Sequence, residues 1–369
     1  MKRQSSIRRR AAGPNRTDAM GSANCARAAG VPGRGAAIAA LLAFAAGGLL
    51  AQQAKIVVTG LSEGQVAELR ESSPGARIVA ASGDALMTEI TDADAVIGTI
   101  NANMVRAGKK LRWVQIGSAG VERYLHLAPP DLRDSGIVLT NGKIIQGPEI
   151  ADPAFALLLT LTRGISQLLP HQRDGAWRRG KVTGMVELQG KTAVVVGVGG
   201  IGTQIAVRAK GFGMRVIGVD PKDIPYAPHV DRLVKPDRID TVLPEADVLF
   251  VSAPHTPESD RMIGARQFEL LKPGAYFVAV SRGRLYDMDA LVKALDSKRL
   301  AGAGVDVTDP EPLPENHPLW QFPNAVITPH IAGGSDNVGR RRMDLFKENI
   351  RRFVDGEPLL NVVDKQKGY

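Results

Sequence analysis

Only one cysteine, Cys25, occurs in the 369 residues, and it falls within the first 54. From Lys55 onward the chain has no thiol, which excludes a disulfide framework and a cysteine-based zinc site there. No internal repeat of solenoid period is visible, so a stacked array is excluded as well. Net charge is also scarce where a folded body would lie. The chain carries a formal +9, but residues 1–54 hold eight Lys/Arg (Lys2, Arg3, Arg8, Arg9, Arg10, Arg16, Arg27, Arg34) against the single acid Asp18. That segment accounts for +7 and leaves +2 for the remainder. A near-neutral body gives no electrostatic footprint for nucleic acid, so the high pI is no argument for a nucleic-acid partner. The apolar run Ala36–Ala51 is 16 residues long and contains two glycines, short and weak for a bilayer that needs about 20 apolar residues.

What is present before Lys55 has the order of a targeting segment: basic stretch, apolar run, small residues leading into a strand. Arg8-Arg9-Arg10 resembles a twin-arginine export motif set unusually far upstream of the apolar run. Three readings stay open: an export signal, which puts the protein in the periplasm or outside the cell; an uncleaved anchor or disordered tail on a cytoplasmic protein; or an organelle transit peptide. No stable membrane span is expected after processing.

From Lys55 the pattern changes to alternating strands and helices. KIVVT (55–59) precedes an amphipathic stretch, Ser62–Arg70, with Ser62 placed to cap it. RIVA (77–80), AVIG (95–98), WVQIG (113–117) and IVLT (137–140) are further short apolar runs. A long apolar helix, about Asp152–Gln167, then leads to a second series: KTAVVVG (191–197), a helix Ile201–Phe212, RVIGVD (215–220), DVLFVSAP (247–254), AYFVAVS (275–281), AGAGVDV (301–307) and AVITPH (325–330). Such alternation predicts α/β architecture with parallel sheets covered by helices on both faces. The basic stretch Asn337–Phe353 predicts a last helix whose arginines form a solvated face.

The chemistry-bearing motif is Gly197-Val198-Gly199-Gly200-Ile201-Gly202, a G-x-G-x-x-G pattern between a buried strand and a helix. In that context the glycines serve a tight turn, close backbone approach to a pyrophosphate, and close helix–sheet packing. The helix N-terminus adds unpaired N–H groups and the positive end of its dipole. Asp220 ends the next strand, where a carboxylate accepts hydrogen bonds from the adenosine ribose and repels a 2′-phosphate. The motif therefore predicts a dinucleotide cofactor, NAD in preference to NADP.

From Trp113 onward the chain resembles the D-isomer-specific 2-hydroxyacid dehydrogenases. The matching blocks are WVQIGSAGVE, Trp177, ELQGKTAVVVGVGGIG, VIGVDP, LPEADVLFVSAPHTPES, SRGRLYD, AGAGVDVTDPEPLPENHPLW and NAVITPHIAGG. Residues Lys55–Arg112 match only in their α/β pattern. The resemblance implies two doubly wound domains, a Rossmann NAD-binding domain (148–330) inserted into a flavodoxin-like substrate domain (55–147, completed by a C-terminal helix within 331–369). It implies three catalytic residues: Arg282 on the substrate carboxylate and carbonyl, His330 as acid/base, and Glu311 orienting the imidazole. It places backbone N–H groups of Ser118, Ala119 and Gly120 on the substrate carboxylate, Ala253, Val280 and Asp306 on the nicotinamide side, and Gly333, a further cofactor contact, beside the catalytic histidine. No metal is implied, and the assembly implied is a homodimer. His255 is read as a loop residue.

Two departures stand out. Ala279 occupies a position that is usually Asn, and Asp152 is followed by Pro153, which as a first-turn proline leaves a helix intact. The activity implied is hydride transfer between NAD(H) and a small 2-oxo or D-2-hydroxy acid, of the glyoxylate/hydroxypyruvate kind. A phosphoglycerate-type dehydrogenase and a non-enzymatic NAD(H)-sensing protein, like the family's corepressors, are the alternatives.

Overall fold

The computed structural model describes residues 53–369 apart from 126–130, 179–181, 183 and 225–226. The leader and Cys25 lie outside the described residues, and so do the readings made of them.

Two parallel sheets carry the fold. The first contains β1 (Ala54–Val58), β2 (Ala76–Ala80), β3 (Ala95–Ile97), β4 (Trp113–Gln115) and β5 (Val138–Thr140), in the order β2-β1-β3-β4-β5. The second contains β6 (Thr192–Val196), β7 (Arg215–Val219), β8 (Arg232–Val234), β9 (Val248–Val251), β10 (Ala275–Ala279), β11 (Leu300–Val305) and β12 (Ala325–Ile327), in the order β12-β11-β10-β9-β6-β7-β8. Every short apolar run read from Lys55 onward contains a strand. The central ones are buried along their whole length, Thr192–Val196 and Val248–Val251 among them, as strands with helices on both faces must be. In the second sheet the strand order reverses between β6 and β9, which opens a crevice beyond their carboxyl ends.

Ser62 caps the first helix as expected. Its hydroxyl accepts from the Gln65 amide (3.3 Å), and the Gln65 side chain accepts in return from the Ser62 amide (3.0 Å). The helix expected over Asp152–Gln167 runs instead from Gly147 to Thr162, and a separate helix, Ile165–Arg173, follows Gly164 at φ 67°. Pro148 is therefore the first-turn proline. Pro153 lies inside the helix, where it removes the N–H that would bond the Glu149 carbonyl. Among the described residues, β8 is the one strand the apolar pattern did not show.

The helix Val338–Asp355 returns to the first sheet and packs Met343, Phe346 and Ile350 against Ile56, Val58, Ile97 and Trp113. That spacing puts one apolar stripe on the sheet, and Gly356 at φ 71° ends the helix. A buried polar cluster fixes its register. Asn349 Nδ2 donates to Gln115 Oε1 (2.7 Å), Thr140 Oγ1 donates to the same oxygen (2.8 Å), and Trp113 Nε1 donates to Thr140 Oγ1 (2.8 Å).

Candidate active site

The residues singled out in the sequence lie at or beyond the carboxyl ends of parallel strands: Ser118–Gly120 after β4, Gly197–Gly202 after β6, Asp220 after β7, Ala253 after β9, Val280 and Arg282 after β10, Asp306 and Glu311 after β11, and His330 and Gly333 after β12.

The glycine-rich turn has the form a pyrophosphate requires. Gly197 has φ 85°, and a Cβ there would meet the Ala253 backbone at 2.5 Å; one on Gly202 would meet the Gly197 carbonyl oxygen at 1.9 Å. By contrast, the space before Gly199 is open, and the helix Gly200–Gly211 begins immediately after it. Asp220 Oδ2 accepts from the Val198 amide and Oδ1 from the Lys222 amide, each at 2.8 Å. The carboxylate thus fastens the turn and retains lone pairs for ribose hydroxyls. These residues fit a dinucleotide.

The substrate-side loop is braced by its neighbours. Ser118 Oγ donates to the Gly120 carbonyl (3.0 Å), and Asn141 Nδ2 donates to the Ala119 carbonyl (2.6 Å). The Ala119 amide is already engaged, donating to Gln146 Oε1 at 2.8 Å. Amides of Ser118 and Gly120 have no partner among the described residues, so the spare donors of the loop are those two.

Arg282 is clamped from two sides. Its Nε and Nη2 donate to the two oxygens of Glu122 (3.0 and 3.4 Å), and its Nη1 donates to the Ser281 carbonyl (2.6 Å). Of five N–H groups three are occupied, leaving one on each terminal nitrogen. Gly120 lies directly beside this group: a Cβ there would be 1.7 Å from Nη2. Glu122 was not singled out from the sequence, because an acid at the end of a Gly/Ser loop does not show which way it turns.

Glu311 joins the arginine turn to the histidine. Its Oε2 faces His330 Nδ1 at 2.8 Å, and its Oε1 accepts from the Thr308 amide at 3.1 Å. The Thr308 backbone in turn packs on Gly283, next to Arg282. His330 adopts a left-handed φ of 53°, uncommon outside glycine. Asp306 holds that turn: its Oδ1 accepts from Thr328 Oγ1 (2.6 Å) and the Ile331 amide (3.0 Å), and its Oδ2 from the Ala332 amide (3.0 Å). Asp306 is buried, and most of its hydrogen-bonding capacity is spent on this support. Tyr286 donates to the Val307 carbonyl (2.6 Å), and burial, then the charges of Glu311 and Asp309, push its hydroxyl pKa up. It stays a donor. His255 lies in the loop after β9 and pairs with Asp260 at 2.8 Å.

A family model described as the D-isomer specific 2-hydroxyacid dehydrogenase, NAD binding domain, matches residues 155–332. Among curated proteins, the glyoxylate reductase of Korarchaeum cryptofilum is 33% identical over 289 residues, covering 77% of this chain and 83% of that one. The chain belongs to the D-isomer-specific 2-hydroxyacid dehydrogenases. A D-3-phosphoglycerate dehydrogenase of Methanocaldococcus jannaschii is 30% identical over 318 residues, covering 84% of this chain and 59% of that protein. Among solved structures, a dehydrogenase of the same family from Xanthobacter autotrophicus Py2, in complex with NADPH and MES, superposes with a TM-score of 0.72 at 27% identity, covering 86% of this chain and 99% of that one. As a 2-hydroxyacid dehydrogenase the chain is an NAD(P)-dependent oxidoreductase built on a Rossmann domain.

Proposed function

We propose that this dehydrogenase reduces a small 2-oxo acid of the glyoxylate or hydroxypyruvate type with NADH, and that Arg282, Glu311 and His330 carry the reaction. The observation that carries this reading is the 2.8 Å contact between His330 Nδ1 and Glu311 Oε2, tied through Thr308 and Gly283 to the Arg282 turn. An ionised carboxylate only accepts hydrogen bonds, so Nδ1 carries the hydrogen and Nε2 is the nitrogen that exchanges a proton with substrate oxygen. The two spare N–H groups of Arg282, with the amides of Ser118 and Gly120, suit a carboxylate and its adjacent carbonyl. The guanidinium charge polarises that carbonyl.

The bound cofactor supplies the hydride. His330 Nε2 then delivers a proton to the oxygen that becomes the alcohol, and in the reverse direction it accepts that proton. Ala253, Val280 and Gly333 surround the nicotinamide side in this reading, and Asp306 acts by holding the His330 turn. Cofactor choice follows Asp220, whose charge opposes a 2′-phosphate.

Steady-state reduction of glyoxylate and hydroxypyruvate tests the assignment. His330→Ala should lower turnover by about 10²–10⁴ while NADH still binds. Glu311→Gln should also slow turnover, because an amide can present its N–H to Nδ1 and reverse the ring's tautomer. A fully active His330→Ala enzyme would overturn the mechanism.

One observation favours a phosphorylated 2-oxo acid as the second reading. Arg342 packs against Gly117 at the start of the substrate loop, with its Nε buried and without a hydrogen-bond partner. A second anionic group on the substrate would suit that cation. 3-Phosphohydroxypyruvate in the same assay separates the two readings: a kcat/KM above that for hydroxypyruvate selects the second.

A further inference from the structure

Lys222 leaves β7 two residues after Asp220 and is fastened to it, its amide donating to Asp220 Oδ1 at 2.8 Å. A lysine so placed is near the ribose edge that Asp220 reads, where its ammonium would welcome a 2′-phosphate. That ammonium has no carboxylate partner among the described residues. It sits instead over the ring of Tyr369, 4.4 Å from the centroid, a cation–π arrangement.

Tyr369 is brought there by a segment that belongs to the first sheet. The Val363 amide donates to the Leu139 carbonyl (2.9 Å), Lys143 Nζ donates to the Val362 carbonyl (2.7 Å), and Lys365 Nζ donates to the carbonyls of Leu132 and Ile137 (2.9 Å each). The Gly368 amide donates to Asp364 (2.8 Å) and the Asp364 amide to the Tyr369 carbonyl (3.1 Å), closing a turn that presents the ring. Burial raises the Tyr369 hydroxyl pKa, Lys367 opposes the rise, and the charges of Asp220, Asp364 and Glu258 add to it. The ring therefore lies within electrostatic reach of Asp220 as well as on Lys222.

We propose that Tyr369 is a cofactor-selecting residue: its ring holds the Lys222 ammonium away from the adenosine 2′ position, so that Asp220 alone reads the ribose. A 2′-hydroxyl then finds its acceptor, whereas a 2′-phosphate meets a carboxylate without the Lys222 ammonium; the other cation at this turn, Lys235, is committed to Asp223 (2.6 Å) and the Pro221 carbonyl (3.0 Å). The inference rests on the reading of Asp220 as the ribose acid. It also means that the substrate half of the molecule, which carries Tyr369, takes part in choosing the cofactor.

Calorimetric binding of adenosine 2′,5′-bisphosphate and of 5′-AMP to the full chain tests this, with the NADPH-to-NADH ratio of kcat/KM as a second readout. Tyr369→Ala should shift the affinity ratio toward the bisphosphate by roughly 5–10-fold, the scale of one cation–π contact released to a phosphate. The shift should shrink at high salt. Tyr369→Phe keeps the ring and should keep the wild-type ratio. In Lys222→Ala the further change Tyr369→Ala should move nothing. An unchanged ratio in Tyr369→Ala, a shift that survives in the Lys222→Ala background, or a Tyr369→Phe variant that behaves like Tyr369→Ala overturns the proposal. Failure of the Asp220 reading shows separately: Asp220→Ser would then leave the bisphosphate affinity where it was.

Discussion

Gly120 and Arg282 approach more closely than any side chain at position 120 would allow, a Cβ there falling 1.7 Å from Nη2 and 2.7 Å from Glu122 Oε2. The arginine cannot yield freely, since Glu122 and the Ser281 carbonyl hold it on both flanks. Gly120→Ala should therefore leave the fold and NADH binding intact while turning the guanidinium off its anion. Misplacing a positioned group by about 1 Å costs on the order of 10² in rate, and kcat/KM for glyoxylate should fall by about that much. Retention of wild-type efficiency would mean that Arg282 does not grip the substrate. Arg282 itself was legible in its SRG block. Glu122 was not, because its partner lies 160 residues away in sequence and nothing local shows which way the carboxylate turns. Asp306 stood out in the sequence only by resemblance, as a nicotinamide-side residue, and its work in the turn of His330 appears only with three hydrogen bonds in view.

At the scale of elements, the strands were readable because buried parallel strands are short continuous apolar runs. β8 escaped that pattern: Arg232–Val234 is a three-residue edge strand with no fully buried position. The helix expected over Asp152–Gln167 was displaced for a related reason. Pro153 attracts a helix start, yet the start lies at Gly147, where a close approach to Gly200 sets the position. A Cβ on Gly147 would be 2.4 Å from the Gly200 carbonyl oxygen, a tertiary contact that no local rule encodes. The last helix was legible as a basic helical stretch, whereas its apolar stripe and its register, which depends on Asn349, appear only in the structure. That side chain donates to Gln115 Oε1 and the Leu360 carbonyl and accepts from the Leu360 amide. Asn349→Ala would strand these partners in a buried site, at a cost of about 1–3 kcal/mol for a buried polar group left unpaired. Denaturant unfolding should show a lowered midpoint of that size, and a change within a few tenths of a kcal/mol would mean that water replaces the amide.

At the scale of the whole molecule, one region exposes an unusual concentration of large apolar side chains. The helix Ile165–Arg173 exposes Ile165, Leu168 and Leu169; beyond it Trp177 is 92% exposed and Met185 57%. Single exposed apolar residues are ordinary, but several large ones within about twenty residues of chain mark a surface that seeks a partner. A second copy of the chain is the occupant we expect. Two-fold pairing lets one patch cover its own counterpart without leaving an open end, and tryptophan is among the side chains enriched at the centre of such contacts. Sedimentation velocity at about 10 μM, a concentration at which interfaces of about 1,600 Å² are normally occupied, should give the mass of a dimer. The double change Leu168→Asp and Leu169→Asp places two charges in that interface and should return the protein to monomer with its far-ultraviolet circular dichroism unaltered. A wild-type chain that sediments as a monomer, or a variant that remains dimeric, would show that this surface is not the subunit contact.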